Sequence, residues 1–209
     1  MVSMLPDVIP RTLTAVCLAT VLLITYFYAP PMLSLLLVTS LVIILLYEWP
    51  QFCFWWLTPL YPVAPFMLLI LLNQSPERRL LLFLFIFSAL FDCAGYFVGS
   101  IFGRHKLAPR LSPGKTWEGL LAGYVTLAIT YPFLAHLFAL HAIGWLQIPF
   151  IITYGTLAIS GDFLVSFFKR RVDIKDSSNL LPGHGGLLDR FASYLLTVIF
   201  IYTLKNYLT

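Results

Sequence analysis

Seven apolar runs, separated by short polar segments, follow one another along the 209 residues of the chain. A helix that crosses the hydrocarbon core of a bilayer needs about 20 predominantly apolar residues, and these runs approach that length. The predicted spans cover residues 12–29, 32–48, 57–73, 80–102, 118–140, 147–168 and 188–207. The third run is short and contains Pro59, Pro62 and Pro65, so a re-entrant or interfacial segment is the alternative there. The pattern predicts an all-α, polytopic transmembrane bundle of about seven spans.

The composition supports a membrane protein and excludes a water-soluble globular domain. Charged residues make up 11% of the chain, whereas soluble domains carry about 25%. The net charge of +4 does not point to nucleic acid, because the cations lie in loops beside the spans and form no basic surface with interleaved aromatic residues. The first run is expected to remain as a helix, since no cleavage site of small residues follows it.

Lysine and arginine residues predict the orientation of the spans. They concentrate in loops 103–117 and 169–186, which lie on one side because a span leads out and a span leads back between them. The positive-inside rule makes that side cytoplasmic, although Arg78 and Arg79 fall on the other side. We divide the chain into N-terminal transmembrane helices, 1–79, and a candidate catalytic region, 80–209, that carries both loops. The short loops favour a bacterial inner membrane.

A first polar cluster lies inside the fourth run. Asp92, Tyr96, Gly99 and Gly103 recur at helical spacing and share one face of the helix. The glycines allow a neighbouring helix to approach closely, so Asp92 is expected to face the interior of the bundle. An ionisable residue within a span is a candidate functional residue. A structural carboxylate that is bonded to a neighbouring helix is the alternative.

A second cluster, Ser-Pro-Gly-Lys-Thr-Trp-Glu-Gly at 112–119, precedes the fifth run. Its Gly-Lys-Thr triplet does not complete a P-loop, because Pro109 stands where the first glycine is required and no strand is expected before it. We expect a loop that opens a helix, with hydroxyls and Lys115 near the helix N-terminus, a setting that suits phosphate. A capped interfacial helix with Glu118 in its first turn is the alternative.

The third cluster, at 161–193, holds the densest set of charges in the chain. Asp162, Ser166 and Lys169 lie on one face at the end of the sixth run, and Asp189 opens the seventh run. Two aspartates on facing helices could hold a Mg²⁺ ion that bridges phosphate oxygens.

Between these runs, the loop supplies Lys175-Asp176 and a glycine-rich turn around His184. Glycines in such a turn let backbone N–H groups approach a substrate closely. The basic triplet at 169–171 alone is better explained as a stop-transfer anchor, and His184 alone is equally well explained as a turn residue bonded to the backbone. The whole set in one segment is harder to explain as anchoring.

With these residues, the chain resembles the CDP-diacylglycerol synthases, also called phosphatidate cytidylyltransferases. The family signature has the form S-x-x-K-R-x4-K-D-x-[GSA]-x2-L-P-x-H-G-G-x-x-D-R-x-D. The chain matches it at Ser166, Lys169, Arg170, Lys175, Asp176, Ser178, Leu181, Pro182, His184, Gly185, Gly186, Asp189 and Arg190. Upstream family elements, D-x-x-A/G-Y-x-x-G and S-P-x-K-T-W-E-G, are matched at Asp92 and at 112–119. The resemblance covers roughly residues 80–202; the N-terminal spans match in hydrophobicity, with Tyr47-Glu48-Trp49 as a candidate further match.

Two departures from the family pattern stand out. The final aspartate of the signature is Ala192 in this chain, which removes a carboxylate one turn from Asp189. The chain also has about seven predicted spans, where well-studied bacterial relatives are described with nine. We expect that an aspartate restored at position 192 maintains or raises activity.

The resemblance implies the reaction CTP + phosphatidate → CDP-diacylglycerol + pyrophosphate. It implies Asp162 and Asp189 as ligands of Mg²⁺, which a K⁺ ion can accompany in the family. It implies a catalytic set made of Asp162, Lys175, Asp176, His184 and Asp189. It implies substrate contacts from Asp92, Tyr96, Ser112, Lys115, Thr116, Glu118, Ser166, Lys169, Arg170, Gly185, Gly186 and Arg190. The implied surroundings are membrane lipids, and the resemblance allows a homodimer.

Three other functions stay open at this point. The first is cytidylyl transfer to a different lipid phosphate. The second is a catalytically weakened family member that acts as a lipid-binding membrane protein, which Ala192 motivates. The third is a transporter that uses the intramembrane carboxylates Asp92 and Asp162, although transport does not explain the phosphate-suited loops.

Overall fold

The computed structural model describes residues 5–141, 143–181 and 185–209, and helices dominate this part of the chain. Its α-helices are α1 (Leu5–Tyr28), α2 (Pro30–Ile43), α3 (Ala64–Gln74), α4 (Arg79–Phe102), α5 (Trp117–Leu137), α6 (Gln147–Arg171) and α7 (Leu187–Leu208). Six helical stretches within the described residues are long and apolar enough to cross a membrane, and Val16–Tyr28 in α1 adds a shorter apolar stretch. The prediction of an all-α, polytopic bundle is confirmed: the chain is an integral membrane protein.

The polypeptide between α2 and α3 stays largely helical but changes its pitch repeatedly. Two π-helical and two 3-10 segments follow one another there: Ile44–Glu48, Trp49–Phe52, Trp55–Leu57 and Pro59–Val63. Prolines in this stretch lack the N–H group that a regular α-helix needs, which explains the breaks. With these turns included, the third predicted run becomes the apolar stretch Trp55–Gln74, which is long enough to cross a membrane.

A short β-hairpin connects α4 to α5, although the sequence pattern predicts a plain loop there with no strand before it. Strand β1 (Lys106–Ala108) pairs antiparallel with β2 (Ser112–Thr116), and Lys106 lies opposite Thr116. The hairpin forms because backbone N–H and C=O groups of a segment between two spans need partners, and the two strands supply them to each other. The Gly-Lys-Thr triplet therefore lies at the end of a strand, directly before α5.

Helices α4 and α5 approach each other closely through glycine. A Cβ atom added at Gly119 would lie 2.5 Å from the carbonyl oxygen of Gly95. Such a distance leaves no room for a side chain, so the glycine is required at this crossing. The expectation that the glycines of the fourth run permit a close helix contact is confirmed, and the contact holds the end of β2 against α4.

Buried aromatic rings join the turns after α2 to the end of α6. The ring centroids of Trp49 and Phe168 are 5.6 Å apart, and those of Phe52 and Phe168 are 5.9 Å apart. The indole Nε1 of Trp49 donates a hydrogen bond to Thr58 Oγ1 at 2.7 Å. Ring contacts of this kind stabilise the packing in addition to the burial of large apolar surfaces. They place Glu48, the neighbour of Trp49, beside the segment that links α6 to α7.

Candidate active site

A cavity of about 980 Å³ lies among the helices, and most of the candidate site residues predicted from the sequence line it. Its polar lining comes from α4, β2, α6, α7 and the segment between α6 and α7, and its apolar lining comes largely from α1, α2 and α4. Selected residues in the lining are Asp92, Tyr96, Lys115, Thr116, Asp162, Ser166, Lys169, Asp176, Asp189 and Arg190. One cavity thus combines cations, carboxylates and an extensive apolar wall.

An ion pair between Lys115 and Asp162 joins the hairpin to α6. The lysine lies at the end of β2, and the aspartate lies on the face of α6 that the helical spacing predicted. Their side chains are 28% and 22% exposed, so both remain accessible from the cavity. Lys115 Nζ also lies 5.7 Å from the ring centroid of Phe163. The pair places a positive and a negative charge where a phosphate could reach them.

A second ion pair, between Lys169 and Asp189, joins the end of α6 to the start of α7. Lys169 Nζ donates to Asp189 Oδ1 at 2.6 Å, and the two side chains are only 13% and 6% exposed. The other carboxylate oxygen, Oδ2, accepts hydrogen bonds from Ser177 N at 2.9 Å, Ser177 Oγ at 3.1 Å and Gly186 N at 3.2 Å. A buried carboxylate needs this many donors, because desolvation of its charge is costly. Asp189 is therefore fixed in orientation.

Asp92 on α4 faces the interior, as its helical spacing predicted. It lines the cavity and accepts a hydrogen bond from Ser193 Oγ on α7 at 3.2 Å. The hydrogen bond to α7 agrees with Asp92 as a structural carboxylate. Its position in the cavity lining agrees with Asp92 as a functional residue, so both interpretations from the sequence fit.

The second cluster divides into two parts. Lys115 and Thr116 line the cavity, and Thr116 Oγ1 caps α5 by accepting a hydrogen bond from Gly119 N at 3.1 Å. Glu118 lies outside the cavity lining and binds the ring of His105, with 2.6 Å between Oε1 and Nδ1. Ser112 begins β2 and is also outside the lining. The capped helix with Glu118 in its first turn is therefore present beside the candidate phosphate contacts.

The signature segment is likewise only partly gathered in the cavity. Ser166, Asp176 and Arg190 line it together with the ion-paired residues Lys169 and Asp189. The remaining described members of the selected set lie outside the lining: Arg170, Lys175, Gly185 and Gly186. His184, with Pro182 and Gly183, lies outside the described residues.

Two of the residues outside the lining still have informative contacts. The guanidinium of Arg170 donates to the carbonyl oxygens of Leu111 at 3.4 Å and Ile174 at 3.3 Å. Gly185 has a φ of 77°, a conformation that glycine adopts readily, and it exchanges backbone hydrogen bonds with Leu181. These contacts shape the segment that carries the signature.

One buried acidic residue in this region, Glu48, was predicted only as part of the candidate family match Tyr47-Glu48-Trp49 and not as a site residue. Glu48 has no exposed surface and accepts hydrogen bonds from the start of α7 and from the segment before it. Glu48 stands as a lone charged residue at the end of the second apolar run. That isolation was the available signal, because an ionisable residue within a span is a functional candidate by default.

The donor chemistry of the cavity fits a hard divalent cation. Carboxylate oxygens are the ligands that Mg²⁺ prefers in proteins, and four aspartates line the cavity: Asp92, Asp162, Asp176 and Asp189. Among the described residues, no group of three or more His, Cys, Asp or Glu side chains is arranged as a metal cluster. Asp162 Oδ1 and the Asp176 carboxylate accept no hydrogen bond from another described residue, whereas both oxygens of Asp189 do. Asp162 and Asp176 are therefore the more available ligands.

Sequence comparison identifies curated relatives among bacterial enzymes. The phosphatidate cytidylyltransferase of Haemophilus influenzae is 40% identical over 134 residues, which cover 61% of this chain and 46% of that protein. The phosphatidate cytidylyltransferase of Bacillus subtilis is 44% identical over 119 residues, covering 54% and 42%. An uncharacterized protein of Escherichia coli, YnbB, is 36% identical over 158 residues, covering 73% and 52%. The chain spans about half the length of these relatives.

The match to a family profile is broader than any of these pairwise matches. The profile described as the cytidylyltransferase family covers residues 6–208, which is nearly the whole chain and includes the N-terminal helices. The recognition made from the signature residues is confirmed. With Lys169, Asp176 and Asp189 of the signature gathered in one cavity of a membrane-spanning bundle, this chain belongs to the cytidylyltransferase family.

Proposed function

We propose that the chain transfers the cytidylyl group of CTP to phosphatidate, which gives CDP-diacylglycerol and pyrophosphate for phospholipid synthesis. The observation that carries this proposal is the cavity, in which the Lys115–Asp162 and Lys169–Asp189 pairs share one space with an apolar wall from α1 and α2. A lipid phosphate needs both kinds of surface, because its head group is anionic and its acyl chains are apolar. The names of the curated relatives support the same assignment.

The proposed chemistry requires alignment and charge neutralisation more than proton transfer. An oxygen of the phosphatidate phosphate attacks the α-phosphorus of CTP. The new P–O bond forms as the bond between the α-phosphorus and the oxygen that bridges to the β-phosphate breaks, and pyrophosphate leaves. The attacking phosphate is already ionised near neutral pH, so no strong general base is needed. Holding two anions in line against their repulsion is the main task of the site.

The cations of the site are proposed to bind phosphate groups. Lys115 and Lys169 line the cavity and are each paired with an aspartate. Phosphate oxygens can replace or join those carboxylates as acceptors of the ammonium protons. Arg190 also lines the cavity, and Arg170 at the end of α6 and Lys175 after it are exposed and lie outside the lining. Asp176 and His184 are proposed to orient the nucleotide or the leaving group.

We propose Mg²⁺ as the cofactor, with K⁺ as an accompanying ion. Asp162 and Asp189 would hold it, and the carboxylate of Asp176 lies in the same cavity. When bound, the ion neutralises charge on the phosphate oxygens and polarises the phosphorus–oxygen bonds. The chain's own lysines keep the carboxylates paired and oriented.

The site is proposed to face the cytoplasm of a bacterial cell, where CTP is made. This orientation is supported by the excess of lysine and arginine in loops 103–117 and 169–186, which flank the spans that carry the site. The bacterial origin of the curated relatives supports an inner-membrane location. A homodimer is compatible with this proposal and is not required by it.

Pyrophosphate release from the purified chain, reconstituted in lipid nanodiscs, tests the proposed function. The assay compares phosphatidate with lysophosphatidate, ceramide 1-phosphate and no acceptor, each with and without Mg²⁺, and follows radiolabelled CTP into lipid. Label in CDP-diacylglycerol that depends on phosphatidate and Mg²⁺ is the expected result. A preference for another lipid phosphate would mean that this lipid, and not phosphatidate, is the acceptor. Binding of lipid without pyrophosphate release would favour the alternative that the chain is a catalytically weakened family member that binds lipid.

A further inference from the structure

The buried carboxylate of Glu48 is unusual because it lies outside the signature and makes no ion pair with a described residue. It is fully buried at the end of the π-helical turn that follows α2. An ionised carboxylate in such a place is strongly destabilising unless hydrogen-bond donors satisfy it. The donors that bind Glu48 therefore show which parts of the structure it holds together.

Four donors, two for each carboxylate oxygen, satisfy Glu48. Oε1 accepts from Ser178 Oγ at 2.7 Å and from Leu187 N at 2.8 Å. Oε2 accepts from Ser177 Oγ at 3.0 Å and from Leu188 N at 2.7 Å. All four donors belong to the signature segment, which lies more than a hundred residues further along the chain. The second apolar run and the signature segment are thus joined through a single side chain.

Two of these donors are the first backbone N–H groups of α7. The residue before the helix is Gly186, which has no side chain to cap it. Glu48 supplies the missing acceptor, and its negative charge is favourable at the positive end of the helix dipole. A Cβ atom added at Gly186 would overlap Ser177 Oγ and lie 2.6 Å from Glu48 Oε1. The glycine therefore makes room for the carboxylate.

Ser177 connects Glu48 to the candidate metal ligand. Its hydroxyl lies 3.0 Å from Glu48 Oε2 and 3.1 Å from Asp189 Oδ2, and its backbone N–H donates to Asp189 Oδ2 at 2.9 Å. A hydroxyl has one proton to donate, so the two carboxylates share it. Gln51, one turn after Glu48, also donates to the Ser177 carbonyl oxygen at 3.0 Å. Two side chains from the N-terminal part of the chain, Glu48 and Gln51, therefore hold Ser177 in place.

We propose that Glu48 is a positioning residue for the active site. It docks residues 177–178 and the first turn of α7 so that Asp189 is presented to the cavity in one orientation. Glu48 does not line the cavity itself and acts through Ser177 and α7. The catalytic part of this proposal rests on the proposed function, whereas the docking part rests on the hydrogen bonds alone.

The Glu48→Gln variant of the full chain tests both parts. Glutamine keeps the shape of the side chain but turns one acceptor oxygen into a donor, which then faces two other donors. We expect kcat for CDP-diacylglycerol formation to fall about 10- to 100-fold, as for other partners that orient a metal ligand. The KM for phosphatidate should stay unchanged, because the apolar wall of the cavity is untouched. Amide hydrogen exchange at Ser177, Leu187 and Leu188 should become faster.

Ile201→Ala is the matched control, because Ile201 is fully buried in the same helix and lies outside the cavity lining. It lowers stability through lost packing, but it should leave exchange at Leu187 and Leu188 and the value of kcat near those of the wild type. In a Glu48→Gln, Ser177→Ala double variant, the loss in log kcat should be smaller than the sum of the losses in the two single variants. Both changes act through one contact, so their effects should not add.

Several results would overturn the proposal. Wild-type exchange at the three amides in Glu48→Gln would disprove the docking. Faster exchange with wild-type kcat, or a kcat loss that Ile201→Ala reproduces, would disprove the positioning role. A wild-type chain that forms no CDP-diacylglycerol would refute the proposed function and the catalytic part of this proposal with it, while the exchange measurement still decides the docking part.

Discussion

At the scale of single residues, the site is built from two lysine–aspartate pairs that differ in burial. Lys115 and Asp162 are 28% and 22% exposed, whereas Lys169 and Asp189 are 13% and 6% exposed. A partly exposed pair contributes little to stability, because water screens its charges. A buried pair leaves a costly charge behind when one partner is removed. The same substitution should therefore have different consequences at the two aspartates.

Asp162→Asn should abolish Mg²⁺-dependent turnover and leave the protein folded. The change removes a charge from the cavity and should alter the free energy of unfolding by less than about 1 kcal/mol. Radiolabelled CTP turnover and thermal unfolding in detergent measure the two effects. Asp173→Asn is the control, because Asp173 is exposed, lies outside the cavity lining and has a φ of 56°, which asparagine tolerates. Wild-type turnover in Asp162→Asn would show that the role assigned to this carboxylate is wrong.

Asp189→Asn should also abolish turnover, but it should destabilise the protein as well. Lys169 would keep a buried charge without its carboxylate, which costs about 3–5 kcal/mol. The difference appears as a lower midpoint of thermal unfolding for Asp189→Asn than for Asp162→Asn. Equal midpoints would contradict the idea that Asp189 has a structural role beyond its place in the site.

Ala192→Asp should maintain or raise activity. Ala192 lines the cavity one turn after Asp189, so an aspartate there adds a carboxylate to the group already present. The change in pyrophosphate release at several Mg²⁺ concentrations measures the effect, with Ala192→Asn as the uncharged control of similar size. A marked loss in the aspartate variant, absent from the asparagine variant, would mean that the site is adapted to fewer negative charges.

At the scale of elements, the hairpin and α5 pack together against α4. Thr116 ends β2 and caps α5, and Gly119 packs against the backbone of α4 at Gly95. Lys115 directly precedes Thr116 in β2, so its position in the cavity depends on how closely the two helices approach. The spacing of α4 and α5 is therefore a property of the site as well as of the fold.

Gly119→Ala should separate α4 from α5 and weaken both stability and turnover. The new Cβ atom would lie 2.5 Å from the Gly95 carbonyl oxygen, and overpacking of this kind costs about 1–3 kcal/mol. Gly95→Ala on the facing helix is the control for stability, since its Cβ atom would meet the nearest atom of α5 at 3.5 Å, an ordinary contact. If the two variants unfolded at the same temperature, the close approach at Gly119 would not matter.

At the scale of the whole molecule, the N-terminal helices complete a cavity whose charged residues come from the rest of the chain. Helices α1 and α2 supply apolar residues to its lining, and the segment after α2 supplies Glu48 and Gln51 to the support of α7. The division of the chain at residue 79, which the match to the signature suggested, therefore separates parts that share one cavity. We expect the lipid chains to depend on α1 and α2, and the nucleotide to depend on the later elements.

Leu36→Trp should raise the KM for phosphatidate several-fold with little effect on the KM for CTP. Leu36 lines the apolar part of the cavity, so a larger ring there competes with acyl chains for space. Leu35→Trp is the matched control, because the neighbouring Leu35 is 54% exposed and does not line the cavity. Equal KM values for phosphatidate in both variants would place the acyl chains elsewhere.

The sequence by itself determined the class of the fold and identified most of the charged residues that line the cavity. Apolar runs of about 20 residues can be recognised locally, because lipid accepts apolar side chains and forces the backbone to satisfy its own hydrogen bonds within each helix. Helical spacing likewise placed Asp92 and Asp162 on interior faces, because side chains three and four positions apart share a face. The signature residues were found in the same way, as a pattern within one segment.

Only the tertiary structure decided which groups meet. The pairing of Lys115 with Asp162, the capping of α7 by Glu48 and the apolar wall from α1 and α2 all join residues that are far apart along the chain. Such contacts depend on how helices pack in three dimensions, and no local period of the sequence encodes that packing. A buried carboxylate such as Glu48 can be recognised in the sequence as unusual, but its purpose becomes visible only when the fold supplies the four donors around it.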